Sequence, residues 1–225
     1  MIYFYSASVM GYGQGRGWHK NYNFPNFPRV TKTLTLKPKW GRPFAIIRVG
    51  KSVYNSVGLS NIGIVKWLNN FGHKDLSNIT VSVHANNYPD LQVMFELLED
   101  LNINGIEINL SCPNVVNNYP HCYFPSTKHA LYLKLNYEMD PLYYVLYGVR
   151  GIRLNSIPLS FCGGSGKIAQ KRNWVFIKKW GKKLNVAGCS FQSINDIKRL
   201  EDMGCTEIGI GSIILTNPKF IEMGL

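Results

Sequence analysis

The sequence predicts an α/β fold, most simply a (β/α)8 TIM barrel, and three observations carry that expectation. Short β-branched or aromatic runs alternate with helix-like segments, the order that sets parallel strands beside crossover helices. Eight such runs occur, enough to close one barrel. Ser, Asn, Lys and Gly residues gather at or just after the ends of these runs, where the catalytic face of such a barrel is built.

The runs are Ile2 to Ser8, Arg29 to Leu36, Ile79 to His84, Ile106 to Leu110, Leu131 to Leu135, Gly151 to Asn155, Asn185 to Gly188 and Glu207 to Ile210. Helical spacing is clearest at Ser60 to Asn70, Asp90 to Leu101, Gln170 to Lys183 and Ser193 to Met203, the third with Trp174, Ile177 and Lys178 in period. Asp90 and Ser193 are expected N-caps, and Gly204 an expected C′ residue. The first crossover, Met10 to Pro28, is rich in Gly, Tyr, Asn and Pro and lacks a helical period, so it is expected to be irregular. The chain has 225 residues where barrels typically have roughly 250, and only Asn217 to Leu225 remain for a last helix. A truncated or imperfectly closed barrel is therefore expected.

Hydrophobic residues at 45% and charged residues at 17% exclude a disordered polyelectrolyte. One domain spanning residues 1–225 is the economical organisation. Lys and Arg number 25 against 13 Asp and Glu, a net charge of +12 that favours phosphorylated cofactors, acidic substrates or nucleic acid. The five cysteines, at 112, 122, 162, 189 and 205, form no C-x-x-C pair. Neither a disulfide framework nor a metal site is expected. The apolar runs Phe44 to Val49 and Ile208 to Leu215 fall well short of the ~18 to 20 residues of a membrane span. With no signal-peptide pattern, the expectation is a soluble cytoplasmic protein without a membrane partner.

The most specific segment is G-I-E-I-N-L-S-C-P-N, Gly105 to Asn114. In it the sequence resembles the dihydroorotate dehydrogenase family, whose fourth barrel strand ends in a nearly identical N-[LI]-S-[CS]-P-N. Further segments agree in order: T-K-T-L-T-L from Thr31, N-S-V-G-L-S-N from Asn55, L-K-L from Leu133, N-S-I from Asn155, G-G-S-G from Gly163 and I-G-I-G-S from Ile208.

The resemblance implies an FMN barrel of pyrimidine biosynthesis that oxidises dihydroorotate to orotate, moving hydride to flavin N5 and a proton to a base. Carried over by position, that base is Cys112. A lone cysteine is most often a small buried hydrophobe, but a thiol with an ordinary pKa of ~8.5 is readily tuned toward the thiolate that accepts a proton. A Cys base is similar to the soluble class, whereas the membrane class uses Ser. Orotate offers amide-like donors and acceptors and a carboxylate, which two-way amides and a cation suit. The implied substrate residues are Lys32, Asn55, Asn109, Asn114 and Asn155 with Ser156, beside the backbone of Val57, Gly58 and Leu59. Single asparagines at 61, 86 and 117 are read as turn or cap residues.

For FMN the resemblance implies Lys134 against the flavin's charge, with Lys32 and Asn109 reaching its edge. Ala7 and Ser8 match the family's first-strand A-S-G or A-A-G, with Val9 in place of the glycine. The phosphate is expected at backbone N–H groups of Gly188, Gly211 and Ser212, with Gly164 and Gly166 allowing close approach. Where the family has paired glycines after its seventh strand, this chain has Cys189 and Ser190, which suit a backbone cradle only at negative φ. A homo-oligomer, such as a homodimer, is the implied assembly.

Related FMN barrels form the alternative, a dihydropyrimidine-type reductase or a dihydrouridine synthase acting on tRNA. Lys178, Lys179, Lys182 and Lys183, with Lys167, Lys171 and Arg172 before them, would give the latter a phosphate stripe. No aromatic stacking pattern accompanies them, so a solvated helix face is the better reading and a nucleic-acid partner is not expected. A different class of reading is a catalytically weak flavin-binding descendant.

Overall fold

A computed structural model of the chain describes residues 1–6, 9–15, 17–42, 45–112, 123–145 and 147–224. Among them are eleven strands: β1 (Ile2–Tyr5), β2 (Arg29–Val30), β3 (Ile46–Val49), β4 (Ser52–Asn55), β5 (Ile79–Val83), β6 (Gly105–Asn109), β7 (Leu131–Leu135), β8 (Gly151–Leu154), β9 (Ile157–Pro158), β10 (Gly163–Gly166) and β11 (Glu207–Ile210). The helices are α1 (Ile64–Phe71), α2 (Tyr88–Glu99), α3 (Leu142–Val145), α4 (Lys167–Trp180), α5 (Ile194–Asp202), α6 (Ile213–Thr216) and α7 (Pro218–Gly224).

Seven strands form one parallel sheet in the order β11-β1-β2-β5-β6-β7-β8. The seventh expected run, Asn185 to Gly188, fills the remaining place through single bridges, Val186 to Ile152 of β8 and Gly188 to Ile208 of β11. Its main chain bonds both neighbours: Ala187 N donates to Ile152 O and Gly188 N to Glu207 O, each at 2.8 Å. The sheet thus curls into the expected barrel.

Strand alternation decides what faces where. In β7, Leu131, Leu133 and Leu135 join the main apolar cluster with Ile106 and Ile108 of β6, Ile152 of β8 and the helix residues Phe95, Leu98, Ile177 and Leu200. Each fully buried side chain of this kind contributes about 1.5–3 kcal/mol. The opposite parity, Glu107, Asn109, Lys134, Arg153 and Asn155, lines a cavity inside the barrel.

The first crossover has no α-helix, as expected, only a 3-10 turn at Gly17–Asn21. Aromatic packing holds it instead, with Phe24 and Phe27 at 6.4 and 5.8 Å from the Tyr5 ring. Ser193 caps α5, accepting from Asp196 N at 3.2 Å, and Gly204 follows its end at φ 96°. The cap of α2 differs from the expectation. Asn87 is the N-cap, accepting from Asp90 N at 2.8 Å, and Asp90 lies inside the first turn. Pro89 in that first turn suits the earlier start, because its missing N–H would be unsatisfied there anyway. Helix α4 runs from Lys167 to Trp180, three residues ahead of the expected segment at both ends.

A second, antiparallel sheet in the order β3-β4-β10-β9 was not expected. Its hairpin turns at Gly50 (φ 55°) and Lys51, and β10 is the segment G-G-S-G, whose glycines gave no strand signal. Asn55, Ser165 and Gly166 of this sheet reach the cavity wall.

Candidate active site

The cavity lies among the segments that follow the barrel strands and brings together most of the residues singled out from the sequence. Lys32, Asn55, Val57, Gly58, Leu59, Asn109, Cys112, Lys134, Asn155 and Ser156 line it. Gly166, Gly188, Cys189, Ser190, Gly211 and Ser212 line it as well. Ala7, Ser8 and Asn114 lie outside the described residues. Gly164 is not among the lining residues: it lies in β10 between Tyr54 of β4 and Ile157 of β9, and a Cβ there would meet Leu159 Cδ1 at 2.9 Å and Ile168 Cγ2 at 3.1 Å.

The amides are held by one another. Asn109 Nδ2 donates to Thr33 Oγ1 at 3.0 Å, while its Oδ1 accepts from Asn155 Nδ2 at 3.2 Å and Ser111 N at 3.4 Å. Asn155 Nδ2 also donates to Ser111 O at 3.1 Å, and Ser111 Oγ to Lys134 O at 3.0 Å. These bonds tie together the ends of β6, β7 and β8 immediately before Cys112. His84 Nδ1 lies 2.8 Å from Asn109 O, and burial holds the His84 imidazole below its ordinary pKa. Asn55 Nδ2 donates to Ser156 Oγ at 3.3 Å, and Lys32 Nζ to Ser60 Oγ at 2.9 Å.

Gly58 and Leu59 both take left-handed backbone, at φ 69° and 61°. Such a conformation strains a leucine. Asn61 pins it, donating from Nδ2 to Leu59 O at 2.7 Å and accepting at Oδ1 from Gly63 N at 2.8 Å. Asn61 is thus the turn residue that its sequence context suggests. Asn86 lies beside the His84 ring, and Asn117 is outside the described residues.

The glycine and serine part of the wall depends on main chain and small residues. A Cβ on Gly211 would lie 2.8 Å from Ser6 Oγ, and one on Gly166 2.4 Å from Lys51 O and 3.0 Å from Ser212 Oγ. A Cβ on Gly188 would instead meet Ile208 Cδ1 at 2.5 Å, so that glycine serves strand and helix packing. Ser190 has φ 61°, the left-handed region that favours glycine. Buried Asn173 holds it, with Nδ2 donating to Ser190 Oγ at 3.2 Å and facing Cys189 Sγ at 3.4 Å. Burial pushes the Cys189 thiol up to about 11, so it stays protonated at neutral pH.

Two further residues in the cavity receive no role from the sequence, Glu107 and Arg153. Both are almost fully buried. Their signal in the sequence is parity: Glu107 stands two residues before Asn109, and Arg153 two before Asn155, each in an otherwise apolar strand. Among the described lining residues, Lys32, Lys134 and Arg153 outnumber the single carboxylate Glu107. Such a cavity favours anions. The α4 lysines are elsewhere, on an outer helix face where Lys179 and Lys183 lie 4.6 and 5.7 Å from the Trp180 ring centre.

The fold has a close counterpart in a crystal structure of a dihydroorotate dehydrogenase from Eimeria tenella in complex with ferulenol. The TM-score is 0.73 over 99% of this chain and 78% of that one, at 13% identity. Sequence similarity is seen to catalytic subunits of dihydroorotate dehydrogenase B (NAD(+)). That of Thermoplasma volcanium is 37% identical over 93 residues, 38% of this chain and 30% of the relative. That of Geotalea uraniireducens is 31% identical over 91 residues, with the same shares, and that of Desulforamulus reducens 30% identical over 115 residues, 49% of this chain and 38% of the relative. The chain thus spans about a third of the length of these relatives. The family model described as dihydroorotate dehydrogenase matches residues 5–145, more than half of the chain, and with this match the chain belongs to the dihydroorotate dehydrogenase family.

Proposed function

We propose that the protein is an FMN-dependent oxidoreductase that oxidises dihydroorotate to orotate in pyrimidine biosynthesis. One observation carries this reading: Cys112, the interlocked Asn109 and Asn155, and the cations Lys32 and Lys134 share one cavity with a glycine–serine wall. The residues present suit FMN. Lys134 offers a cation for the flavin's charge, and Gly166, Gly188, Gly211 and Ser212 give the cavity a stretch of wall made of main chain and one small side chain. Bound FMN supplies the two-electron acceptor for the hydride that leaves carbon 6 of the substrate.

The chain's own residues do the remainder. Cys112 takes the proton from carbon 5. The amides of Asn55, Asn109 and Asn155 and the hydroxyl of Ser156 recognise the planar ring, with Lys32 and the main chain of Val57, Gly58 and Leu59 beside it. The bonds from Asn155 to Asn109 and Ser111 fix these groups before substrate arrives, which lowers the ordering cost of binding. By analogy with these relatives, catalytic subunits of an NAD(+)-linked enzyme, the acceptor that reoxidises the enzyme is NAD(+).

The purified protein is expected to be yellow with noncovalent FMN, and anaerobic dihydroorotate should bleach its flavin absorption. Protein that binds no added FMN, or a bound flavin that dihydroorotate leaves oxidised, overturns the reading.

A further inference from the structure

Beneath the amides, the barrel encloses four charges on four strands, Glu107 of β6, Lys134 of β7, Arg153 of β8 and Glu207 of β11. Glu107 is 1% exposed and Arg153 5%. Glu107 Oε1 accepts from Ser82 Oγ at 2.9 Å and lies 3.8 Å from Lys134 Nζ. Its other oxygen, Oε2, is 3.4 Å from Arg153 Nη1, and Arg153 Nη2 lies 4.0 Å from Glu207 Oε2. The guanidinium is clamped between two rings, its Cζ 3.8 Å from the centre of Tyr132 and 4.2 Å from that of Phe4. Register places Lys134 directly beside Arg153 across β7 and β8.

A cluster so buried costs several kcal/mol of desolvation per ion, and a buried ion pair is not in itself a source of stability. Its arrangement has an electrostatic consequence. Two carboxylates balance two cations, and the Arg153 fork occupies one oxygen of each carboxylate. Lys134, left with a 3.8 Å contact to a Glu107 oxygen that already accepts from Ser82, keeps its charge for the cavity. Without Arg153 the cluster would carry a net negative charge, and Glu107 would have Lys134 as its sole cation.

We propose that Arg153 is a positioning residue that takes up Glu107 and Glu207 and so keeps the Lys134 ammonium available to an anion in the cavity. Given the FMN reading above, on which this rests, that anion is the reduced flavin. The Arg153–Glu107–Glu207 charge balance then sets how much more tightly the site holds reduced than oxidised FMN.

Charge-changing variants of the holoprotein test it through the flavin's reduction potential and the FMN dissociation constant. Arg153→Met should lower the preference for reduced over oxidised FMN by about tenfold, a fall of about 30 mV in a two-electron potential. Glu207→Gln should shift the potential by a similar amount in the opposite direction, since it removes a negative charge from the same cluster. Arg153→Lys, which keeps the charge, should stay near the parent. Opposite signs for the two charge changes are what a purely structural role would not give. Should Arg153→Met fail to fold, Glu207→Gln alone decides. FMN-loaded variants with the parent's potential, or shifts of the same sign, overturn the role of Arg153 and leave the flavin reading intact. A parent that binds no FMN overturns both.

Discussion

Around the β6, β7 and β8 side of the cavity, side chains hold side chains: Asn155 on Asn109, Asn109 on Thr33, Thr33 on Ser82, Ser82 on Glu107. Elsewhere on the cavity, the turn after Gly188 and the segments Ser165–Gly166 and Gly211–Ser212 offer mostly main chain, and Asn173 Oδ1 is buried there without a hydrogen-bond partner among the described residues. The first wall is preorganised by a polar network whose members satisfy one another. The second is shaped by the absence of Cβ atoms and by a serine in a glycine's conformation. Under the proposed function, chemistry and recognition fall to the first, and close approach of a ligand to the second.

The largest expected effect tests whether the networked wall does chemistry at all. Cys112→Ala should keep FMN and bind orotate, because neither needs the thiol. Flavin reduction by dihydroorotate should fall by about 10²- to 10⁴-fold, the usual contribution of a positioned base. In the parent that rate should rise with pH as the thiol ionises, and the variant should lack the rise. Stopped-flow reduction across pH reads both, and a variant as fast as the parent puts the base elsewhere.

On the glycine wall the next effect is one of stability. Gly166→Ala forces an L side chain into φ 74° with its Cβ 2.4 Å from the Lys51 carbonyl oxygen, which is fixed in a hairpin. A loss of at least about 2 kcal/mol is expected from strain and overlap together. Gly188→Ala meets the movable tip of Ile208 and should cost less. Urea unfolding orders the two, and an equal or reversed order would mean that close approach at Gly166 is not what shapes this wall.

Asn155→Ala returns to the first wall. It removes the donor to Asn109 Oδ1 and Ser111 O and should weaken orotate by roughly 1 to 3 kcal/mol, since ligand groups lose a partner in a buried site. Titration of orotate against the bound flavin's spectrum gives the dissociation constants directly. Parent-like affinity would remove the amide network from recognition.

The same contrast explains what was legible in the sequence. Side chains at strand ends announce themselves, so Lys32, Asn109, Cys112, Lys134 and Asn155 and the eight runs of the barrel were readable from spacing and motif. Main-chain geometry does not. G-G-S-G reads as a loop because glycine has no β propensity, yet pairing with β4 and β9 makes it a strand, and Gly164 faces packing where close approach to a ligand was expected. Glu107 and Arg153 were missed: their one signal is a charge at inward parity in a strand, and the residues that carry the family resemblance are their neighbours Asn109 and Asn155. The first crossover lacked a period because its order comes from aromatic contacts distant in sequence, Tyr5 with Phe24 and Phe27.

The smallest effect concerns Ser190, where the two walls differ most in kind. A non-glycine residue at φ 61° carries about 1–2 kcal/mol of left-handed strain, and its hydroxyl recovers part of that by accepting from Asn173 Nδ2. Ser190→Ala keeps the strain and loses the bond, so a destabilisation of about 1 kcal/mol is expected. Ser190→Gly loses the same bond but relieves the strain, less about 0.5–1 kcal/mol for the greater freedom of glycine in the unfolded chain. The glycine variant should therefore be more stable than the alanine variant by up to about 1.5 kcal/mol. Denaturant midpoints of the three proteins measure this difference. An alanine variant as stable as the glycine one would show that the turn is not strained, and that this wall accepts a side chain as readily as the wall of amides does.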